Sequence, residues 1–176
     1  MCGRYTLTEA DPQKIASRFE FDEHGIDPDA LGRFNVCPTE TVLIADGESA
    51  RAVRWGLVPS WKKEIGKGPA LINARVETVA TKAPFAKLLA RPERRCLVLA
   101  DGWYEWLRPE TPKGDRVPFR YTVDGGAPFA FAGLWAWAKI DGEWLASATI
   151  LTTTANAISA PVHDRTRAFL GQILWR

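Results

Sequence analysis

The sequence predicts an α+β fold with a mostly antiparallel, barrel-like β core and short flanking helices. Three observations carry that prediction. β-rich runs dominate the chain and are separated by compact turn signals. Only two stretches show helical spacing of apolar residues. The 176 residues, 46% hydrophobic and 25% charged, suit one domain spanning 1–176 that buries a real core, far from the composition of a disordered chain.

Asp11-Pro12 ahead of Ile15, Ala16 and Phe19 reads as an N-cap, a proline at the first helical position and an apolar stripe, so a helix covers about 11–20. Phe85, Leu88 and Leu89 recur at helical spacing and predict a second helix over Pro84 to Ala90. The strand-like runs are Val42-Leu43-Ile44, Ala52 to Trp55, Cys96 to Leu99, Trp103 to Leu107, Phe119 to Val123, Phe129 to Trp137 and Trp144 to Thr154. Asp46-Gly47, Asp124-Gly125-Gly126 and Asp141-Gly142 punctuate them, and Asp141-Gly142 between two aromatic runs predicts a hairpin.

Composition excludes several classes. A net charge of +2 does not imply nonspecific wrapping of duplex nucleic acid, though it allows a local basic groove. Three cysteines without a Cys-x-x-Cys pair, and two histidines far apart, argue against a zinc module and a disulfide framework, so no metal and no cofactor is expected. Met-Cys-Gly-Arg-Tyr-Thr at the N-terminus has no apolar signal region, and the longest uncharged run, Trp144 to Val162, is too polar to span a membrane. These features predict a cytoplasmic protein in a reducing compartment, with Cys37 and Cys96 as buried small hydrophobes. No coiled-coil pattern is present, so a monomer is the default expectation.

Eight tryptophans stand out. Aromatic residues fill strand faces and cores, and they also offer stacking platforms for nucleobases. Trp61, followed by Lys62, Lys63 and Lys67, marks the one basic, aromatic-interleaved cluster in the sequence.

Cys2 follows the initiator Met, and a small second residue permits removal of that Met. The exposed residue would then carry both an α-amine and a thiol, with ordinary pKa values of about 7.7–8.0 and 8.5, so reactive fractions of both exist near neutrality. A 1,2-aminothiol condenses with an aldehyde to an imine, and the neighbouring thiol closes a thiazolidine ring at high effective molarity. The same group can instead serve as an N-terminal nucleophile that hydrolyses amide bonds with its own amine as base. Glu105, in the aromatic stretch Trp103-Tyr104-Glu105-Trp106, is a desolvated carboxylate suited to acid–base work. His163 follows Pro161 in a loop, where an imidazole commonly meets substrate, and Asp164 beside it is a candidate to fix its tautomer.

Cys2-Gly3-Arg4-Tyr5, the run Arg54-Trp55-Gly56-Leu57-Val58-Pro59-Ser60-Trp61 and Asn73-Ala74-Arg75-Val76-Glu77-Thr78 resemble the SOS-response-associated peptidase family of abasic-site processing proteins. So do the run from Arg95 to Trp106, Phe131-Ala132-Gly133-Leu134-Trp135, and Thr152-Thr153-Thr154-Ala155-Asn156 with Val162-His163-Asp164-Arg165. The resemblance covers residues 2 to about 165 through six motifs in order. It implies binding to single-stranded DNA containing abasic sites in the DNA-damage response, with a covalent thiazolidine formed by Cys2. A nucleoid-associated location follows if the source is bacterial, and lyase, protease or hydrolase labels belong to the same family. By the same resemblance Glu105, His163 and Asn73 assist Cys2, while Arg4, Arg75 and Arg165 hold phosphates and Trp61 stacks on a base. Trp103 and Trp106 are expected to pack the pocket.

The C-terminal side departs from the family pattern. Where the family typically continues His-Asp-Arg-Met-Pro, this chain has Thr166-Arg167-Ala168-Phe169-Leu170 after Asp164-Arg165. Two rival readings stay open: an N-terminal-nucleophile peptidase, and a noncatalytic single-strand binding module.

Overall fold

The computed structural model describes residues 3–47, 49–66, 68, 70–107 and 114–170. In chain order its elements are β1 (Arg4–Leu7), α1 (Pro12–Phe19), β2 (Arg33–Val36), β3 (Thr41–Ala45), β4 (Ala50–Trp55), β5 (Asn73–Arg75) and α2 (Phe85–Leu89). Then follow β6 (Arg95–Ala100), β7 (Gly102–Leu107), β8 (Val117–Tyr121), β9 (Phe129–Ile140), β10 (Glu143–Thr154), β11 (Arg165–Arg167) and β12 (Phe169–Leu170). The expected helices are present, and Asp11 caps α1 by accepting a hydrogen bond from the Gln13 amide at 2.9 Å.

The hairpin at Asp141-Gly142 sets the architecture. Both residues have positive φ, 49° and 93°, as a type I′ turn requires. The turn holds β9 and β10 in register from Glu143↔Ile140 to Ile150↔Gly133. β9 pairs on its other edge with β6, β6 with β3, and β3 with β4, all antiparallel. β4 returns to β10 in parallel, Ser147 opposite Arg54 and Ala148 opposite Trp55, and this closes a five-stranded barrel. Gly133 lies at the seam, opposite Cys96 on β6 and Ile150 on β10. A Cβ there would stand 2.9 Å from Cys96 Sγ and 3.0 Å from the Thr149 carbonyl, so the position has no room for a side chain.

A second sheet, ordered β2-β1-β7-β8, lies outside this barrel. Its buried residues and those of the barrel share one core, in which Tyr5 meets Trp55 edge-on at 5.3 Å and Phe131 at 6.0 Å. Trp103 stacks on Tyr121 at 5.3 Å and meets Phe131 edge-on at 6.0 Å. Buried Asp101, at the turn from β6 into β7, accepts hydrogen bonds from the hydroxyls of Thr6 and Thr8 and the amides of Thr8 and Glu9. It thereby ties the end of β1 to both sheets.

Three sequence expectations need revision. The strand expected over Phe119 to Val123 runs instead from Val117 to Tyr121, because its register is fixed by pairing with Trp103–Leu107. Cys37 is half-buried rather than buried, since it sits in the turn between β2 and β3 with Sγ 3.5 Å from the Asn35 carbonyl. β1, β2, β5, β11 and β12 are strands that the sequence pattern did not indicate. Cys96 is buried as expected, and burial pushes its thiol pKa far up. No described helix is long and apolar enough to cross a membrane.

Candidate functional site

The expected nucleophile, Cys2, lies outside the described residues, but the strand that follows it has a definite partner. β1 runs antiparallel to β7 with Arg4 opposite Tyr104, Tyr5 opposite Trp103 and Thr6 opposite Gly102. Walking back from Arg4 through Gly3 therefore leads along β7 from Tyr104 toward Glu105. Strand alternation puts Glu105 on the same face of β7 as Trp103, the face shared with Tyr5. Glu105 is only 1% exposed, a carboxylate within the aromatic interior, as its sequence setting suggested. Its charge reaches Tyr121, whose hydroxyl is pushed up first by burial and then by Glu105. Trp103 is buried and Trp106 is half-buried.

Strand β10 assembles a second group. β5 pairs with it in parallel, Asn73 opposite Ile150 and Arg75 opposite Thr152, while β11 pairs antiparallel, Thr152 opposite Arg167 and Thr154 opposite Arg165. Residues directly opposite one another share a face, so Asn73, Arg75, Arg165 and Arg167 all belong to one face of this three-stranded segment. Asn73 is half-buried; Arg75 is exposed and makes no ion pair among the described residues. The Arg165 guanidinium forks onto Glu77, Nη1 to Oε1 at 2.8 Å and Nη2 to Oε2 at 2.9 Å, and also donates to the Thr152 carbonyl at 2.7 Å. That fork is the main reason the Glu77 carboxyl is held down at about 2.

The loop between β10 and β11 positions His163. Asn156 Oδ1 accepts from the amides of Ile158 and Ser159 and from the Ser159 hydroxyl, all between 3.0 and 3.1 Å. The Ser159 carbonyl then accepts from the amides of Val162 and His163, each at 3.0 Å. The His163 side chain is 9% exposed, and its Nδ1 stands 3.0 Å from both the Arg165 amide and Asp164 Oδ1. A backbone amide can only donate, so in the neutral ring Nδ1 accepts from Arg165 and the proton sits on Nε2. Asp164 does reach His163, but its side chain is 79% exposed and free to swing into solvent. The Arg165 amide therefore sets the tautomer.

Arg167 joins the two groups. Its fully buried guanidinium lies 4.5 Å from the centre of the Phe131 ring and 5.4 Å from those of Tyr5 and Trp55. It also donates from Nη2 to the Arg4 carbonyl at 3.1 Å. A residue of β11 thus grips the first residue of β1, next to the chain that leads to Glu105. Trp55 in turn donates its indole N–H to the Ile72 carbonyl at 2.9 Å, one residue before Asn73. Arg4 itself is half-buried and donates to Asn35 Oδ1 at 3.3 Å.

Trp61 stands apart from these residues. It is 59% exposed in a turn closed by the Lys62 amide on the Pro59 carbonyl, and it lines a different cleft. Lys63 is exposed and Lys62 half-buried, whereas Lys67 lies outside the described residues. Sequence reasoning missed Glu77, Asn156 and Arg167 as structural partners of the site. Glu77 and Asn156 fall inside quoted motifs, and Arg167 occupies the departure from the family pattern, which was the available signal. Among the described residues no group of three or more His, Cys, Asp or Glu gathers to hold a metal ion.

The chain belongs to the SOS response associated peptidase (SRAP) family, whose model matches residues 1–176. It is 37% identical over 170 residues to abasic site processing protein YoaM of Bacillus subtilis, covering 94% of this chain and 73% of that relative. It is 39% identical over 171 residues to abasic site processing protein YoqW of the same species, covering 94% and 74%. A crystal structure of a protein from Bacteroides thetaiotaomicron shares the fold, with a TM-score of 0.84 at 21% identity over 97% of this chain and 78% of that one.

Proposed function

We propose that this protein captures abasic sites in single-stranded DNA as a covalent thiazolidine crosslink through Cys2, once Met1 has been removed. Membership of the family and the names of the relatives supply the substrate class. The observation that carries the mechanism is the register of β1 on β7, which leads the chain from Arg4 through Gly3 toward buried Glu105.

In this reading Glu105 donates a proton to the sugar ring oxygen and takes up the proton of the C1′ hydroxyl as C1′ opens to the aldehyde, so that it is protonated again for the next step. The Cys2 amine attacks C1′, the carbinol oxygen leaves as water with a proton from Glu105, and an imine remains. The thiol sulfur then bonds to C1′ as its proton passes to the nitrogen, closing the five-membered ring. Aldehyde and aminothiol combine with loss of one water, and nothing is oxidised or reduced. Asn73 orients the amine or a sugar hydroxyl. His163, with Nδ1 occupied by the Arg165 amide, exchanges protons through Nε2. Arg4, Arg75 and Arg165 hold flanking phosphates, with the phosphate taking the place of Glu77 on Arg165, and Trp61 stacks on a neighbouring base. One domain acting as a monomer suffices for this chemistry.

The test is a denaturing gel of the purified protein with a single-stranded oligonucleotide carrying one abasic site, beside an intact oligonucleotide and Cys2→Ser. A shifted band that survives denaturation, needs the lesion and vanishes in Cys2→Ser is the expected result. Absence of that band, with removal of Met1 confirmed by mass spectrometry, overturns the proposal. Cleavage of peptide substrates in its place would favour an N-terminal-nucleophile peptidase.

A further inference from the structure

A second cleft opens between α2, the turn that follows it, and strand β9. Its volume is about 230 Å³, and its walls include Trp61, Trp137, Leu88, Lys87, Arg91 and Arg94. Among the described residues no carboxylate lines it. The local backbone explains the clustering. The amide of Arg91 donates to the Leu88 carbonyl and that of Arg94 to the Arg91 carbonyl, each at 3.0 Å, so a tight turn continues from the helix. Residues 87, 91 and 94 are then spaced by four and three, and all three reach the same wall.

Lys87 and Arg91 are exposed, and none of Lys87, Arg91 and Arg94 forms an ion pair among the described residues. Glu93 is exposed on the same turn but is not part of the cleft. Arg94 is held in place with its guanidinium 5.0 Å from the Trp135 ring, which meets Trp137 edge-on at 6.0 Å. Arg51, also 4.9 Å from Trp135, is neutralised by Asp46 at 3.2 Å and adds no free charge. Three cations with no ion pair among the described residues, beside two accessible indoles, form a surface for a ligand with regularly spaced negative charge and flat apolar rings.

We propose that this cleft is a separate subsite for the phosphodiester strand of single-stranded nucleic acid, entered by the strand after it leaves the lesion site. The inference rests on the function proposed above and adds to it. Lys87, Arg91 and Arg94 neutralise phosphates that lie beyond the lesion on one side only, while Trp61 and Trp137 stack on the intervening bases. Affinity therefore grows when the oligonucleotide is lengthened on that side of the lesion and not on the other.

The experiment measures noncovalent binding of single-stranded oligonucleotides that carry one tetrahydrofuran abasic analogue, which has no aldehyde to trap, and are lengthened on either side of it, to the full chain across a salt series, for wild type, Lys87→Ala/Arg91→Ala and Lys87→Glu/Arg91→Glu. Both positions are exposed, and circular dichroism confirms folding of each variant. With about 0.7 counterions released per phosphate contact, the double alanine variant is expected to lower the salt slope by about 1.4 and to abolish the one-sided length gain. The gel assay on a short abasic oligonucleotide at saturation is expected to remain at wild-type yield. An unchanged slope and length dependence in both variants overturns the cleft while leaving the crosslinking proposal intact. Loss of the crosslink in wild type overturns both. Equal affinity of the cleft for polyglutamate and for DNA overturns it in favour of an acidic protein partner.

Discussion

Replacing Asp101 tests how the N-terminal strand is held. Its Oδ1 accepts from the Thr6 hydroxyl at 2.5 Å, and its Oδ2 accepts from the Thr8 hydroxyl at 2.6 Å, the Glu9 amide at 3.3 Å and the Thr8 amide. Arg120 Nη2 stands 3.6 Å from Oδ1, and the carboxylate is 1% exposed. Asp101→Asn keeps the shape. The amide oxygen can replace Oδ2 and retain its three donors, and the new NH₂ can donate to the Thr6 hydroxyl, which rotates to accept. What is lost is the charge, which weakens hydrogen bonds worth about 1.5–3 kcal/mol each when charged to about 1 kcal/mol each, and turns the Arg120 contact unfavourable. A net loss of about 1–2 kcal/mol follows once the reduced desolvation of a neutral group is credited. Asp101→Ala strands all four donors and loses about 3–5 kcal/mol. For a chain of this length about 2–4 °C of Tm accompanies each kcal/mol, so Asn lowers Tm by about 2–8 °C and Ala by about 6–20 °C. Calorimetry reads these values, and hydrogen exchange at the Thr8 amide reports whether the loss begins at β1. An Asp101→Asn protein with wild-type Tm, or one less stable than Asp101→Ala, refutes the reasoning.

Two further outcomes are expected. Because Arg165 holds the Glu77 carboxyl down at about 2, its contribution is complete above the ordinary carboxylate pKa near 4.5 and is lost as pH falls toward 2. Urea midpoints of Glu77→Gln should therefore fall less steeply than those of wild type between those values, and parallel curves would refute the assignment. Gly133→Ala should destabilise by about 1–3 kcal/mol through overpacking, since its Cβ meets Cys96 Sγ at 2.9 Å. Adding Cys96→Ala should recover part of that loss, and strict additivity in a thermal double-mutant cycle would count against the contact.

The elements legible in the sequence were those specified by neighbouring residues. Asp11-Pro12 sets both the cap and the first turn of α1, and Asp141-Gly142 alone fixes the turn from which ladder β9–β10 follows. β5 and β11 were not legible, because three-residue strands such as Asn73–Arg75 and Arg165–Arg167 carry no alternation and exist only by pairing with β10. The buried setting of Glu105 could be read from its aromatic neighbours, but that of Arg167 could not. An arginine reads as a surface residue until Tyr5, Trp55 and Phe131 converge on it from three other strands. Likewise Lys87, Arg91 and Arg94 look like scattered charges until α2 packs beside Trp137.

The two sheets differ in what they present to a second copy of the chain. The barrel pairs each of its five strands on both sides, whereas among the described residues the four-stranded sheet ends at β2 and β8. Along β8 the exposed Val117 and Phe119 would invite another strand, since they are 51% and 41% accessible. Pro118 sits between them and has no N–H to give, and a proline on an edge strand makes that edge a poorer template for another strand. Growth of fibres by edge-to-edge strand addition is obstructed there.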